Sequence, residues 1–253
     1  MTETKKRQFG IMLSEFGNPN IVRIFRRAGS DFVIVDDEHG YFDFTQLAGL
    51  IAVANGIGLP IIIRVPGVSR EYITKVLDMG ADGILVPMVN TAEQAREIVR
   101  YAKYTPLGAR GISTTRAHTG YGVSDLNAYL AAANRRVNVC VQIETREAVA
   151  HAEEIAAVPG IDSLFIGPND LAADYGLPGQ VTSAPVLEAV ARVSGAAAGA
   201  GKPSGIITGN RVLLEACMRQ GFTFYSVGSE LDLLVKGAAG KQAELREMSE
   251  QIH

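Results

Sequence analysis

Eight short apolar segments alternate with amphipathic helical patterns along this chain, and no other feature constrains its fold as strongly. Uninterrupted apolar runs are typical of parallel strands that helices cover on both faces, because neither face of such a strand meets water. Each run is followed by a helical pattern before the next run begins. The predicted strands are residues 8–13, 32–36, 60–64, 83–86, 137–143, 163–166, 203–207 and 222–227.

The helical patterns complete this alternation. Asn18-Pro19 precedes the first helix and Gly29 follows it, which matches a polar N-cap, proline in the first turn and glycine just past the end. Eight strand–helix units in 253 residues predict one α/β domain over residues 1–253, a closed (β/α)8 TIM barrel. The other predicted helices are residues 43–55, 69–79, 91–101, 146–157, 184–200, 211–219 and 231–252.

An open, doubly wound sheet is the alternative architecture. Such a sheet usually carries a Gly-x-Gly-x-x-Gly turn after its first strand, and residues 13–17 do not have this pattern. The Gly- and Ala-rich residues 194–201 have the composition of a linker, but their alanines continue the preceding helix. We therefore favour the barrel and expect no domain boundary.

Composition and charge exclude several classes of partner. The net charge is -3, and Lys5-Lys6-Arg7 is the longest basic run, so we expect neither nucleic acid nor an anionic membrane surface as a partner. The N-terminus lacks the apolar stretch of a signal peptide, and no apolar run approaches the length of a membrane span, which predicts a cytoplasmic protein. Cys140 and Cys217 have no metal-ligand or redox spacing, so we interpret both as buried apolar residues.

Two carboxylates follow neighbouring predicted strands. Glu144 ends the fifth strand and Asp170 follows the sixth, so both should lie at the C-terminal mouth of a barrel, where such enzymes place their active sites. Either acid alone would more often cap a helix N-terminus. The pair together, with the remaining positions left to water and substrate oxygens, suits Mg²⁺ or Mn²⁺.

Arg64 and His39 are predicted to share that mouth. Arg64 ends an apolar strand, so its guanidinium must pair with an internal acid or bind a ligand, and both alternatives stay open. Its planar fork suits a carboxylate or a keto oxygen, which indicates an anionic 2-keto acid. His39 is either a structural loop histidine or, oriented by Asp36, a group that transfers a proton near neutral pH.

Five ordered segments resemble the HpcH/HpaI aldolase family. They are residues 36–40 (DDEHG), residues 77–95 with LDMGA and PMVNTAEQA, residues 104–111 (YTPLGARG), residues 142–144 (QIE) and residues 165–171 (FIGPNDL). The resemblance implies a class II pyruvate aldolase that reversibly cleaves a 4-hydroxy-2-oxo acid, of the 2-keto-3-deoxy sugar acid or 4-hydroxy-2-oxo-dioate type, to pyruvate and an aldehyde. A metal-stabilised enolate would be the intermediate.

The resemblance also implies a role for each matching residue. Glu144 and Asp170 would hold the divalent metal, Mg²⁺, Mn²⁺ or Co²⁺. His39 would serve in acid–base catalysis, with Asp36 and Asp78 as the acids that hold it. The substrate would contact Arg64, Gly167, Pro168, Asn169 and Ile207, with backbone groups at 167 and 169 receiving its carboxylate. Asp37 is a mild departure from the family pattern that adds negative charge near the site. Glu230, at a position where that pattern leads us to expect Asp, is a second departure.

The same resemblance implies an assembly and leaves alternatives open. Relatives exchange their last helix between protomers and form hexamers, and residues 231–252 have apolar positions that suit this. No lysine ends a predicted strand, so a Schiff-base mechanism is disfavoured, and we expect no nucleotide cofactor. An oxaloacetate decarboxylase, a citrate- or malate-type lyase and a catalytically silent anion-binding barrel remain alternatives. The aldehyde pocket is expected from residues 14–18 and 114–122, with Arg116, His118 and Tyr121 suited to a polar acceptor.

Overall fold

All eight strands of the computed structural model, which describes residues 6–252, belong to one closed parallel barrel in the order β1 to β8. The (β/α)8 TIM barrel predicted from the sequence is therefore confirmed. The strand bounds differ from the predicted ones by no more than two residues at any end. The strands are β1 (Gln8–Leu13), β2 (Phe32–Asp36), β3 (Ile61–Arg64), β4 (Gly83–Val86), β5 (Asn138–Ile143), β6 (Ser163–Ile166), β7 (Ser204–Ile207) and β8 (Phe224–Ser229).

The helices follow the predicted alternation with three differences. The single helix predicted over residues 146–157 is broken at His151, and two helices that were not predicted, α5 and α8, lie in loops. The helices are α1 (Asn20–Arg27), α2 (Phe44–Gly56), α3 (Arg70–Asp78), α4 (Ala92–Ala102), α5 (Leu126–Arg136), α6 (Arg146–Ala150), α7 (Ala152–Ala157), α8 (Pro168–Asp174), α9 (Ala184–Gly199), α10 (Arg211–Arg219) and α11 (Glu230–Gln251).

Two hydrophobic clusters hold the barrel together. The larger cluster lies between the sheet and the helices that surround it. The smaller cluster, which includes Phe32 and Phe165, fills the interior of the barrel. Gly10 and Gly205 leave space for those two rings, because a Cβ at either glycine would overlap the ring beside it. The interior below the C-terminal mouth is therefore packed mainly with apolar side chains.

Strand register brings the polar residues of that mouth together. Asp36 at the end of β2 lies directly opposite Arg64 at the end of β3. Ile143 of β5 lies opposite Ile166 of β6, so Glu144 and the segment that begins at Gly167 leave the sheet side by side. The parallel register thus places one cation and several carboxylates at the same edge.

The last helix does not cover the barrel from which it comes. Among the 22 residues of α11, only Glu230 is buried, and its apolar side chains, such as Leu245 and Met248, are exposed. A helix of this length extends about 33 Å. No helix in residues 6–252 is both long and apolar enough to cross a membrane. The cytoplasmic location stays a prediction from the sequence.

Candidate active site

A cavity of about 300 Å³ opens at the C-terminal mouth of the barrel. Most of the predicted site residues line it, together with Met12 and Gln142, which were not predicted. Glu144 lies directly behind Gly167, because a Cβ at residue 167 would overlap the Glu144 carboxylate. The lining residues are Met12, His39, Arg64, Gln142, Gly167, Pro168, Asn169, Asp170 and Ile207.

Arg64 is fixed by two carboxylates. Its Nε donates to Oδ1 of Asp36 at 2.9 Å and its Nη2 donates to Oδ2 at 2.7 Å, while Nη1 lies 3.1 Å from Oε2 of Glu38. Burial raises the pKa of Asp36, but the hydrogen bonds and charge of Arg64 outweigh it, so the pKa lies below its usual value. The guanidinium has five N–H groups, so at least two remain for a ligand in the cavity.

The two acids predicted to hold His39 bind other groups in the single chain. The Asp36 carboxylate binds Arg64 and accepts the backbone N–H groups of Glu38 at 3.1 Å and His39 at 3.3 Å, so it orients the turn rather than the imidazole. Asp78, at the end of α3, pairs instead with Arg110 at 2.6 Å. Within residues 6–252 neither acid bonds the imidazole of His39, which is exposed at the mouth. In a single chain both acids thus have other partners, and their role in holding the imidazole stays a prediction.

Glu144 is a buried carboxylate whose nearest charged neighbours include further acids. Its Oε1 accepts the backbone N–H of Met88 at 2.7 Å, and its Oε2 accepts a short hydrogen bond from Nε2 of Gln142. Burial, with the negative charges of Glu38 and Asp170, raises the pKa of Glu144 to about 7, although the Met88 hydrogen bond opposes the change. Burial also raises the pKa of Glu38. Positive charge within this group would stabilise both anions.

The donors present fit a hard divalent cation. Glu144 and Asp170 lie close enough for each charge to act on the other, and both supply the oxygen ligands that Mg²⁺ and Mn²⁺ prefer. Oε1 of Gln142 is buried and has no hydrogen-bond partner among residues 6–252, as expected for an atom that faces a bound water or ligand. No group of three or more His, Cys, Asp or Glu side chains in the described chain is arranged as a metal site. Two carboxylates would leave the other positions to water and substrate.

The backbone at residues 167–169, predicted to bind the substrate carboxylate, is only partly arranged as expected. The N–H of Gly167 donates to the carbonyl of Ile143 at 3.4 Å, so it belongs to the barrel ladder and is not directed at a ligand. Pro168 has no N–H. No side chain caps the N-terminus of α8, which leaves its first-turn N–H groups, beginning with Asn169, without a side-chain acceptor.

Besides Met12, three contributors to the site were not predicted. Gln142 lies two residues before Glu144 on β5, so the two-residue period of a strand places both side chains on the inner face and could have identified it. Glu38 lies between predicted site residues, but its contact with Arg64 depends on the path of the turn. Met88 contributes only its backbone N–H from a left-handed conformation (φ 55°), and side-chain chemistry gives no signal for such a donor.

Known proteins identify the family. A family model described as HpcH/HpaI aldolase/citrate lyase matches residues 11–237. The chain is 34% identical to a hydroxypyruvate/pyruvate aldolase from Roseovarius nubinhibens, covering 91% of this chain and 90% of that protein. It is 37% identical to a 4-hydroxy-2-oxovalerate aldolase from Novosphingobium aromaticivorans, covering 95% and 90%. An HpcH/HpaI aldolase from Desulfitobacterium hafniense DCB-2 superposes with a TM-score of 0.88 at 34% identity, covering 94% and 92%. The match includes every residue that lines the cavity, and the chain belongs to the HpcH/HpaI aldolase/citrate lyase family.

Proposed function

We propose that this protein is a class II pyruvate aldolase that reversibly cleaves a 4-hydroxy-2-oxo acid into pyruvate and an aldehyde. One observation carries the proposal: a fixed guanidinium, a histidine and the Asp170 carboxylate line one small cavity at the mouth of the barrel, and the Glu144 carboxylate, which interacts with Asp170, lies directly behind Gly167. The guanidinium suits a keto acid, and the carboxylates suit a divalent cation. Relatives named as aldolases for hydroxypyruvate, pyruvate and 4-hydroxy-2-oxovalerate support the same substrate class.

Arg64 would bind the pyruvyl part of the substrate. Cleavage of the C3–C4 bond leaves its electron pair on the pyruvyl fragment, and negative charge collects on the keto oxygen. The guanidinium is held in place by Asp36 before the substrate arrives, so its remaining N–H groups need little reorganisation to stabilise that charge.

His39 would transfer the proton. In cleavage it takes the proton of the 4-hydroxyl group, so that the aldehyde carbonyl forms as the carbon–carbon bond breaks, and in synthesis it returns that proton. Its imidazole is exposed and lines the cavity, and the charge of the neighbouring Glu38 acts on it, so a substrate in the cavity would lie beside it. We expect this role from position and chemistry together.

Glu144 and Asp170 would hold the metal. A divalent cation would supply Lewis-acid stabilisation of negative charge on the keto oxygen. Gln142 and the Met88 N–H keep the Glu144 carboxylate in one orientation. No lysine lines the cavity in the described chain, so the proposal does not involve a Schiff base. We expect a non-phosphorylated substrate, because Glu230 and Asp232 place negative charge at the N-terminus of α11.

Deuterium exchange at the methyl group of pyruvate tests the proposal directly. Pyruvate is incubated in deuterated buffer with metal-stripped protein, with and without Mg²⁺, Mn²⁺ or Co²⁺, and exchange is followed by NMR. Exchange should require metal and should be lost in Glu144→Gln and Asp170→Asn. Asp174→Asn is the matched control, because Asp174 lies one turn further along α8 and pairs with Arg146 outside the cavity. Metal-independent exchange would overturn the proposal.

We further propose that α11 exchanges between protomers in a hexamer. A mainly apolar groove of about 460 Å³ lies beside α1 on the outside of β1 and β8, with Phe9 and Phe25 among its lining residues. Since α11 leaves its own barrel with apolar side chains exposed, the α11 of a second copy is the occupant that matches this groove. Exchange would bury apolar surface on both copies.

A further inference from the structure

Glu230 is a buried carboxylate outside the cavity, and the proposed chemistry does not use it. It is the first residue of α11 and is 1% exposed. Within residues 6–252 it forms no ion pair with a basic side chain. A buried, unpaired carboxylate is costly unless hydrogen bonds satisfy it. Its surroundings must therefore supply that stabilisation.

Three consecutive backbone N–H groups bind this carboxylate. The N–H of Ser14 donates to Oε1 at 2.8 Å and to Oε2 at 3.0 Å, that of Glu15 donates to Oε1 at 2.7 Å, and that of Phe16 donates to Oε1 at 3.2 Å. Hydrogen bonds to a charged acceptor are stronger than those between neutral groups. Residues 14–16 follow β1 at the mouth of the barrel, so Glu230 fixes the backbone of a loop that forms the rim.

A local irregularity in β8 places Glu230 beside this loop. The register between β1 and β8 shifts after Gly10, so that Met12 lies opposite Ser229. Gly228 has φ of 118°, a backbone conformation that residues with a side chain rarely adopt. The chain can therefore turn from β8 into α11 directly next to the end of β1.

The same loop packs against the turn that carries His39. A Cβ at Gly40 would lie 2.9 Å from the carbonyl oxygen of Ser14 and would overlap that of Asp36, so the two backbone segments are in close contact. Further along the loop, Gly17 packs on the side chain of Gln46 in the first turn of α2. The loop is thus one wall of the His39 turn.

We propose that Glu230 is a positioning residue for His39, acting through the loop formed by residues 14–16. The carboxylate holds the loop, and the loop holds the turn at Gly40 against which it packs. Because Glu230 also begins α11, the position of that helix is linked to the position of the histidine. The kinetic part of this inference rests on the proposed role of His39, whereas the anchoring of the loop does not.

Glu230→Gln tests the inference by two independent measurements. Amide hydrogen exchange reports on the N–H groups of residues 14–16, and steady-state kinetics of retro-aldol cleavage report on His39. Asp232→Asn is the matched control, because it removes an exposed acid from the same helical turn, and in residues 6–252 the N–H groups of the loop bind Glu230 instead. Glu230→Asp is a second variant, which keeps the charge but is one methylene too short to reach all three N–H groups.

In Glu230→Gln, exchange at residues 14–16 should accelerate by about tenfold or more, while amides of the barrel strands keep their protection. The kcat should fall by about tenfold or more, as expected when a proton-transfer group is misplaced, with KM changed by less than about twofold because Arg64 is unaffected. Glu230→Asp should have an exchange rate and a kcat between those of this variant and wild type. Asp232→Asn should have the exchange rate and the kcat of wild type. If Glu230→Gln does not fold, Glu230→Asp decides by the same measurements.

Unchanged exchange at residues 14–16 would overturn the anchoring of the loop. Faster exchange with an unchanged kcat would overturn the positioning of His39, as would an equal loss of kcat in Asp232→Asn. A wild-type protein without aldolase turnover would instead contradict the proposed function, and the exchange measurement would still decide whether Glu230 holds the loop. The two failures are therefore distinguishable.

Discussion

A methyl group added at residue 167 should disable the site while leaving the barrel folded. Gly167 joins β6 to α8, and in Gly167→Ala the new Cβ would overlap Oε2 of Glu144 and come within 2.5 Å of Nε2 of Gln142. Its φ of -97° is accessible to alanine, so the backbone conformation adds no strain. The conflict is confined to the contact between the methyl group and the carboxylate.

Relief of that overlap has a definite structural cost. Glu144 must rotate away, which breaks its 2.7 Å hydrogen bond from the N–H of Met88, or the backbone at residue 167 must shift. Overpacking of this kind lowers the free energy of unfolding by about 1–3 kcal/mol. For a chain of this length, that change corresponds to a decrease in Tm of about 2–6 °C. If Glu144 holds the metal as proposed, its displacement should weaken metal affinity by at least about 10–100-fold, the usual loss when a supporting contact is removed.

Three measurements check these magnitudes. Thermal unfolding followed by circular dichroism gives Tm, calorimetric titration gives Mn²⁺ affinity, and pyruvate release coupled to lactate dehydrogenase gives kcat/KM. Gly209→Ala is the matched control, because it alters a glycine after β7 where a Cβ meets no atom within 4 Å. If Gly167→Ala and Gly209→Ala have the same Tm, Mn²⁺ affinity and kcat/KM, Glu144 does not occupy the position on which the metal site depends.

Three further outcomes are expected. Arg64→Lys should reduce kcat by about 10²–10³-fold, because an ammonium cannot pair with Asp36 through two parallel hydrogen bonds and still face the keto oxygen. A kcat within about threefold of wild type would contradict this. Burial raises the pKa of Asp37 to about 6, so the folded state binds its proton more tightly than the unfolded chain, and stability should fall as pH rises from about 4 to about 6. In Asp37→Asn, the free energy of unfolding measured with denaturant should fall by roughly 1–2 kcal/mol less than in wild type over that pH range. An identical pH dependence of the two free energies would refute the role of Asp37. Leu245→Glu should lower the oligomer mass measured by light scattering. Gln242→Glu, which changes an exposed polar residue of the same helix, should not lower it. An unchanged mass in both variants would contradict helix exchange.

The barrel could be predicted from the amino-acid sequence, because the pattern that specifies it is local and repeated. Each strand is a short apolar run covered on both faces, and each is followed by a helix with its own caps, such as Asp43 before α2 and Thr91 before α4. The positions of Arg64 and Glu144 at strand ends also follow from the sequence, since the ends of parallel strands meet at one mouth. The additional helices α5 and α8 were missed because they lie inside loops, outside the expected alternation.

Tertiary structure decided which partner each polar side chain takes. Asp36 binds Arg64 rather than the imidazole of His39 because parallel register places the ends of β2 and β3 opposite each other. Glu144 is held by the backbone N–H of Met88, a donor that every residue type except proline would offer. Glu230 is bound by amides more than 200 residues away in the chain. Periodicity assigns a side chain to a face, but a hydrogen bond depends on distances between segments, and only the folded chain sets those distances.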